Sequence, residues 1–273
     1  MKTPRRRGTP IDTKRIADWV DRFSGYRTKI SGTRIEAWLG HFDQRHRDAA
    51  GRVLDAVEFY GHEQLDAAYR SVLGALPGWH RSGAQRTGRW RFVPFSLSPG
   101  ESGDSMLHVF RVANKLSSSA FDDLFVYKAD LLRERLVAED TVVFVDDFAG
   151  TGDQAALAWR ESLGELLPGR PRVFLLLVAA VQEAVTRIGS ETPLRVRPFR
   201  RLKAGDNFFA RECAQFSEAE KRAILSYCRR ADAIRPRGYG GCGLLVVMAH
   251  GCPNNSIPIL HRRSQQFKGM FAR

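Results

Sequence analysis

Two adjacent carboxylates, Asp146 and Asp147, end the apolar run Val142-Val143-Phe144-Val145, and the small residues Ala149-Gly150-Thr151-Gly152 follow after Phe148. Four apolar residues in a row read as a strand buried on both faces. Residues 154–166 (QAALAWRESLGEL) then read as a helix. A strand end, a tight small-residue loop and a helix start aim several backbone N–H groups at one point, where the helix dipole adds positive potential. A phosphate fits that place. Gly150 and Gly152 let the backbone approach an anion closely, and the Thr151 hydroxyl can donate one more hydrogen bond. Asp146 and Asp147 can accept from sugar hydroxyls or help to hold a magnesium ion. Together the parts suit a phosphorylated sugar.

Two other stretches carry polar groups on constrained loops. Residues 98–105 (SPGESGDS) form a second small-residue loop, ahead of the helical stripe Met106, Val109, Phe110 and Ala113. Residues 250–260 (HGCPNNSIPIL) set His250, Asn254 and Asn255 on one proline-bounded loop, where they can line a pocket opposite Asp146.

The elements that must position these groups follow from periodicity. Residues 1–10 read as a disordered basic arm. Four stripes at i, i+3, i+4, i+7 follow: Ile16 to Phe23, Ile35 to Phe42, Ala50 to Val57 and Leu65 to Val72. Residues 11–80 therefore read as a helical subdomain, and 77–88 (PGWHRSGAQRTG) as a breaker-rich linker. Strands are expected at 91–97, where Pro94 suits a sheet edge, and at 124–128, 142–145, 172–181, 194–202 and 244–249. Helices are expected between them, one opening at a capping box, Ser217 to Glu220. Alternating strands and helices imply an α/β fold, a doubly wound, mostly parallel sheet over residues 89–265, with 266–273 as a tail. Ligands of such sheets sit outside the carboxyl ends of the strands, where Asp146, Asp147 and the 98–105 loop would meet.

The totals narrow the partners. The chain has 273 residues, 43% apolar and 27% charged, with net charge +13. Residues 190–273 hold 16 basic and 6 acidic side chains, so an anionic partner, nucleic acid among the candidates, belongs there. No apolar segment follows the basic start, and the longest apolar run, 173–181, has nine residues. No membrane partner and a cytoplasmic location are expected. Cys213, Cys228, Cys242 and Cys252 lack metal-ligand spacing and read as reduced thiols.

Residues 142–152 resemble the signature of the type I phosphoribosyltransferase fold: four apolar residues, two acids and a small-residue loop ending Thr-Gly. The resemblance implies that Asp146 and Asp147 hold the ribose hydroxyls of phosphoribosyl pyrophosphate, as the catalytic acids, with magnesium. It also implies that Ala149, Gly150, Thr151 and Gly152 wrap the 5′-phosphate, and that Ser98, Gly100, Ser102 and Gly103 take the pyrophosphate. Two departures stand out. Asp153 and Gln154 follow Thr-Gly where the family has Gly or Ser and then Thr, and the long mobile loop usual before the central strand is replaced by a short helical connection. A carboxylate at a phosphate cradle repels the anion unless it turns away.

Gly238-Tyr239-Gly240, an apolar strand, His250 and residues 253–260 (PNNSIPIL) resemble the phosphoribosyltransferase-like effectors of bacterial conflict systems, as does the Trp38-Leu39-x-x-Phe42 helix. That likeness implies an effector or accessory component of an anti-phage system, with partner proteins of a defence operon. Three functions stay open: glycosyl transfer or nucleotide cleavage at the acid pair, nucleotide sensing without turnover, and nucleic-acid binding through residues 190–273.

Overall fold

The computed structural model describes residues 11–96 and 102–271. In chain order the helices α1 (Thr13–Arg22), α2 (Gly32–Leu39) and α3 (Arg47–Ala56) lead to strand β1 (Glu58–Tyr60) and helix α4 (His62–Gly74). Strand β2 (Trp90–Pro94) and helix α5 (Ser102–Ala113) precede β3 (Thr141–Val145) and the two-residue β4 (Phe148–Ala149). Helix α6 (Asp153–Ala158) runs through a π-helical turn (Trp159–Leu163) into α7 (Gly164–Leu166). Then come β5 (Arg172–Val181), α8 (Gln182–Glu191), β6 (Arg195–Leu202), α9 (Glu218–Ala231), β7 (Val246–Met248) and α10 (Pro258–His261).

These elements fold into two compact units, Glu63–Leu202 and the remainder on either side of it. The Glu63–Leu202 unit is a five-stranded sheet in which every paired strand is parallel: β2, β3, β5 and β6 lie side by side, and β4 prolongs the line of β3. Its apolar runs are buried on both faces, as their composition requires. On one face Val142, Phe144, Leu175 and Val196 pack with Ala155, Ala158 and Leu163 of the α6 to α7 helix and Ile188 of α8. On the other, Phe92 meets Phe110 of α5, which meets Tyr69 of α4. Helices on both faces make this the expected α/β architecture. Pro94 lies on β2, at the sheet edge, where a missing N–H donor is tolerated.

The other unit joins α1, α2 and α3 to α9, β7 and α10 around one apolar core that includes Phe23, Trp38, Phe42, Ile224, Phe267 and Phe271. The Trp38 indole donates to the Ile259 carbonyl (2.8 Å). The capping box of α9 forms as read, with Ser217 and Glu220 exchanging hydrogen bonds.

Three features differ from the sequence expectations. The helical run is not a separate body: α1 to α3 share a core with the C-terminal third, while α4 belongs to the sheet-bearing unit. Within that run β1 pairs in parallel with β7, far along the chain. A helical stripe says that a face is buried but not against what, and a three-residue strand leaves no periodic trace. The strand expected at 124–128 reduces to one bridge, Phe92 opposite Phe125, because the chain turns into 3-10 helix on both sides. The 1–10 arm lies outside the described residues. Among those described, no helix is long and apolar enough to cross a membrane.

Candidate functional site

The acid pair sits in a break in a line of strand. β3 runs beside β5 with Val145 opposite Leu176, and pairing resumes in register at β4, with Phe148 opposite Ala179. In the gap Asp146 N donates to Leu176 O (3.1 Å), and the Asp147 carbonyl accepts from Val178 N (2.9 Å) and Ala179 N (3.1 Å). Both acids are thus fixed by their backbones at the carboxyl end of β3. At the other end, Asp140 accepts from Arg89 N (2.7 Å) and Val137 N (2.9 Å), which anchors the short connection before the strand.

The two acids are not equivalent. Asp146 is 5% exposed, and its Oδ1 accepts from Ser102 Oγ (3.0 Å) and Asp147 N (2.9 Å). Burial, and after it the charge of Asp147, push the Asp146 carboxyl well above the usual carboxylate range. Asp147 is half-buried and so the more accessible of the two. Ser102 Oγ also lies 3.3 Å from Asp147 Oδ1, and its single proton serves one carboxylate at a time.

Ser102 opens α5, and Gly103 explains how it reaches the acids. A Cβ on Gly103 would overlap the Phe95 carbonyl, so only glycine lets the helix start this close to the end of β2. Phe95 in turn donates to Val145 O (2.9 Å), joining the ends of β2 and β3. Ser102 and Gly103, expected in the pyrophosphate loop, therefore stand beside the acid pair; Ser98 and Gly100 lie outside the described residues. Lys128, which the sequence reading passed over, donates to Ser96 O (2.6 Å) and brings a cation to the same strand end.

The loop after the acids is tight. Gly150 is buried, and Gly152 adopts φ +80, where an L side chain is strained. A Cβ on Gly152 would also lie 3.1 Å from Ile188 Cγ1 and 3.2 Å from Ala184 O, so this turn is seated on α8. Ala149 packs against the sheet core. The Thr151 hydroxyl donates to Asp153 Oδ2 (2.7 Å) and accepts from Asp153 N. Asp153 pairs with Arg187 of α8, which also holds Glu191 (2.8 Å). The carboxylate that departs from the family pattern is thus matched by an arginine whose position could not be read from spacing.

Tyr69 lies under the pair. It is fully buried on α4, and its hydroxyl donates to the Asp146 carbonyl (3.0 Å). Burial and the two carboxylates raise its pKa, so the phenol keeps its proton. Tyr69→Phe is expected to lower unfolding stability by about 1 kcal/mol, the net worth of one buried hydrogen bond. Denaturant melts check this; an unchanged midpoint would show that the hydroxyl does not support the strand end.

His250, Asn254 and Asn255 belong to the other compact unit. The Asn255 amide donates to Tyr239 O (3.1 Å) and Cys242 Sγ (3.4 Å), and Asn254 O accepts from Tyr239 N (2.8 Å). These asparagines brace the glycine-rich turn 236–243. The His250 carbonyl accepts from Arg27 (3.1 Å).

The donors at the acid pair are all hard oxygen: two carboxylates and the Ser102 hydroxyl. Such a set suits magnesium, which takes one or two carboxylates and completes its shell with water and ligand phosphate. Among the described residues no cluster of three or more His, Cys, Asp or Glu side chains could hold a metal by itself, so ligand oxygens would be needed.

Compared with known families, residues 35–273 match the model described as PRTase-CE. No curated protein matches the chain.

Proposed function

The chain belongs to the PRTase-CE family, a phosphoribosyltransferase-like family, and on that premise we propose that its acid pair binds the ribose of phosphoribosyl pyrophosphate or a ribonucleotide together with magnesium. The observation that carries the reading is the convergence of Asp146, Asp147 and Ser102 at the carboxyl end of β3, with the 149–152 turn directly behind. Asp147 accepts from the ribose hydroxyls, and Asp146 fixes it through the backbone. The turn carries the 5′-phosphate, and Ser102 and Gly103 border the pyrophosphate. Magnesium held at Asp146 and Asp147 would neutralise charge on the ligand's phosphates. The protein's own part is to position the ribose and stabilise a cationic sugar centre, the two contributions glycosyl transfer or nucleotide cleavage needs.

Turnover and sensing are separated by one assay. With phosphoribosyl pyrophosphate, magnesium and a mixture of acceptor bases, a transferase passes the phosphoribosyl group to a base and a hydrolase passes it to water, each releasing pyrophosphate over many turnovers, and Asp147→Asn abolishes the release. Saturable binding without release identifies a nucleotide sensor, whose ligand shifts a protein contact. The likeness to conflict-system effectors supports a role in anti-phage defence with operon partners; loss of plaque protection in Asp146→Asn/Asp147→Asn cells is the expected sign.

A second reading has its own support. On β6, Arg195, Arg197, Phe199 and Arg201 alternate along the strand and all are exposed. No acid occurs between Glu191 and Asp206. Basic side chains interleaved with an aromatic suit a single-stranded nucleic acid. Three phosphate contacts predict a log–log salt slope of about −2. Binding that ignores salt, or survives replacement of all three arginines by glutamine, would remove this reading.

A further inference from the structure

A cavity of about 340 Å³ in the unit built from the two chain ends lies between α2 and the residues that close the chain. Arg34, Ala37 and Trp38, on one face of α2, line it from one side, with His41 in the turn just past the end of that helix. Arg263 and Lys268 line it from the other and stand opposite each other across an antiparallel bridge. No carboxylate is among the described lining residues.

This arrangement is electrostatically unfavourable as it stands. Like charges directly opposite on paired strands destabilise. The Arg34 guanidinium is depressed by burial and then by Arg263, and its buried Nη2 has no hydrogen-bond partner among the described residues. Its other amino group reaches Thr28 Oγ1 and Lys29 O (both 3.2 Å), which hold the side chain in place. His41 stacks on Phe267 (4.4 Å between centroids), and its Nε2 accepts from Lys268 N (3.3 Å), so Nδ1 carries the proton. Burial, then Arg230 and Lys268, keep that ring neutral. A bound dianion would convert each repulsion into an attraction and give Nη2 an acceptor.

We propose that this cavity is a phosphate-binding site separate from the acid pair, for a phosphate dianion, free or as the terminal phosphate of a mononucleotide. Its volume lies at the low end of the roughly 300–1,000 Å³ usual for small-molecule pockets. Trp38, Ala37 and Met270 add apolar lining beside the charges.

Calorimetric titration of the full chain with inorganic phosphate, and separately with adenosine 5′-monophosphate, tests the proposal. Three proteins are compared: the natural sequence, Arg263→Gln/Lys268→Gln, and Asp147→Asn. Saturable binding that weakens about tenfold or more in the double variant, as the loss of one charge-assisted contact requires, and that persists in Asp147→Asn, supports the site. Phosphate and nucleotide binding equally identifies free phosphate as the ligand; nucleotide binding at least about tenfold tighter identifies the ester. In phosphate-free buffer the double variant should melt at or above the natural sequence, because repulsion has been removed. Binding unchanged in that variant, or no saturable binding of either probe, overturns the proposal.

Discussion

Asp146→Asn/Asp147→Asn is expected to weaken ribose-phosphate binding by about tenfold or more, while leaving the unliganded protein more stable near neutral pH. The loss follows from removing the accessible acceptor, Asp147, worth about 1.5–3 kcal/mol toward a hydroxyl donor, together with the Asp146 carboxyl that fixes its backbone. The gain in stability follows from the burial of Asp146. Its folded pKa lies above the usual value, so the folded state holds a proton that the unfolded state releases near 3.8. That contribution is fully present below the unfolded pKa and is lost as pH rises through the folded one. Asparagine keeps an acceptor for Ser102 and the Asp147 N–H but never ionises. Melting curves of the natural sequence should therefore fall from pH 4 upward relative to Asp146→Asn as Asp146 becomes charged. Parallel curves would show that the buried carboxyl is not strained toward its protonated form.

Gly103→Ala is expected to be the most damaging single-methyl change near the site. The added carbon would occupy the space of the Phe95 carbonyl, a backbone atom that Phe95 N → Val145 O pairing holds in place. Overpacking of this kind costs about 1–3 kcal/mol. Melting temperature should drop by roughly 2–12 °C, given about 2–4 °C per kcal/mol in domains of 150–250 residues. If α5 shifts to make room, Ser102 moves off the acids and ligand affinity falls as well. A variant that melts and binds like the natural chain would mean that α5 does not start against the end of β2.

Much of this site was legible because its signals are local. The runs 142–145 and 173–181 are apolar without interruption, as strands buried on both faces require. The Ser217–Glu220 capping box and the four helical stripes also rest on neighbours within a few residues. What was hidden depends on distant partners. Tyr69 reads as one more apolar position of α4, and nothing nearby says that its hydroxyl meets the Asp146 carbonyl. Arg187 compensates Asp153 from another helix. Asp146 and Asp147 are chemically identical in sequence, and only the packed sheet makes one buried and the other accessible. The pairing of β1 with β7 moved the first three helices into a common core with the C-terminal third, an assignment periodicity does not carry.

The central claim is that a ribose phosphate is gripped by two acids where β3 ends. Native mass spectrometry of the protein mixed with phosphoribosyl pyrophosphate and magnesium tests it most directly. A stoichiometric adduct carrying the ribose phosphate is expected in Arg263→Gln/Lys268→Gln, where the second phosphate site is weakened, and is lost when Asp146→Asn/Asp147→Asn is added to it. An adduct of equal intensity after that addition would contradict the claim.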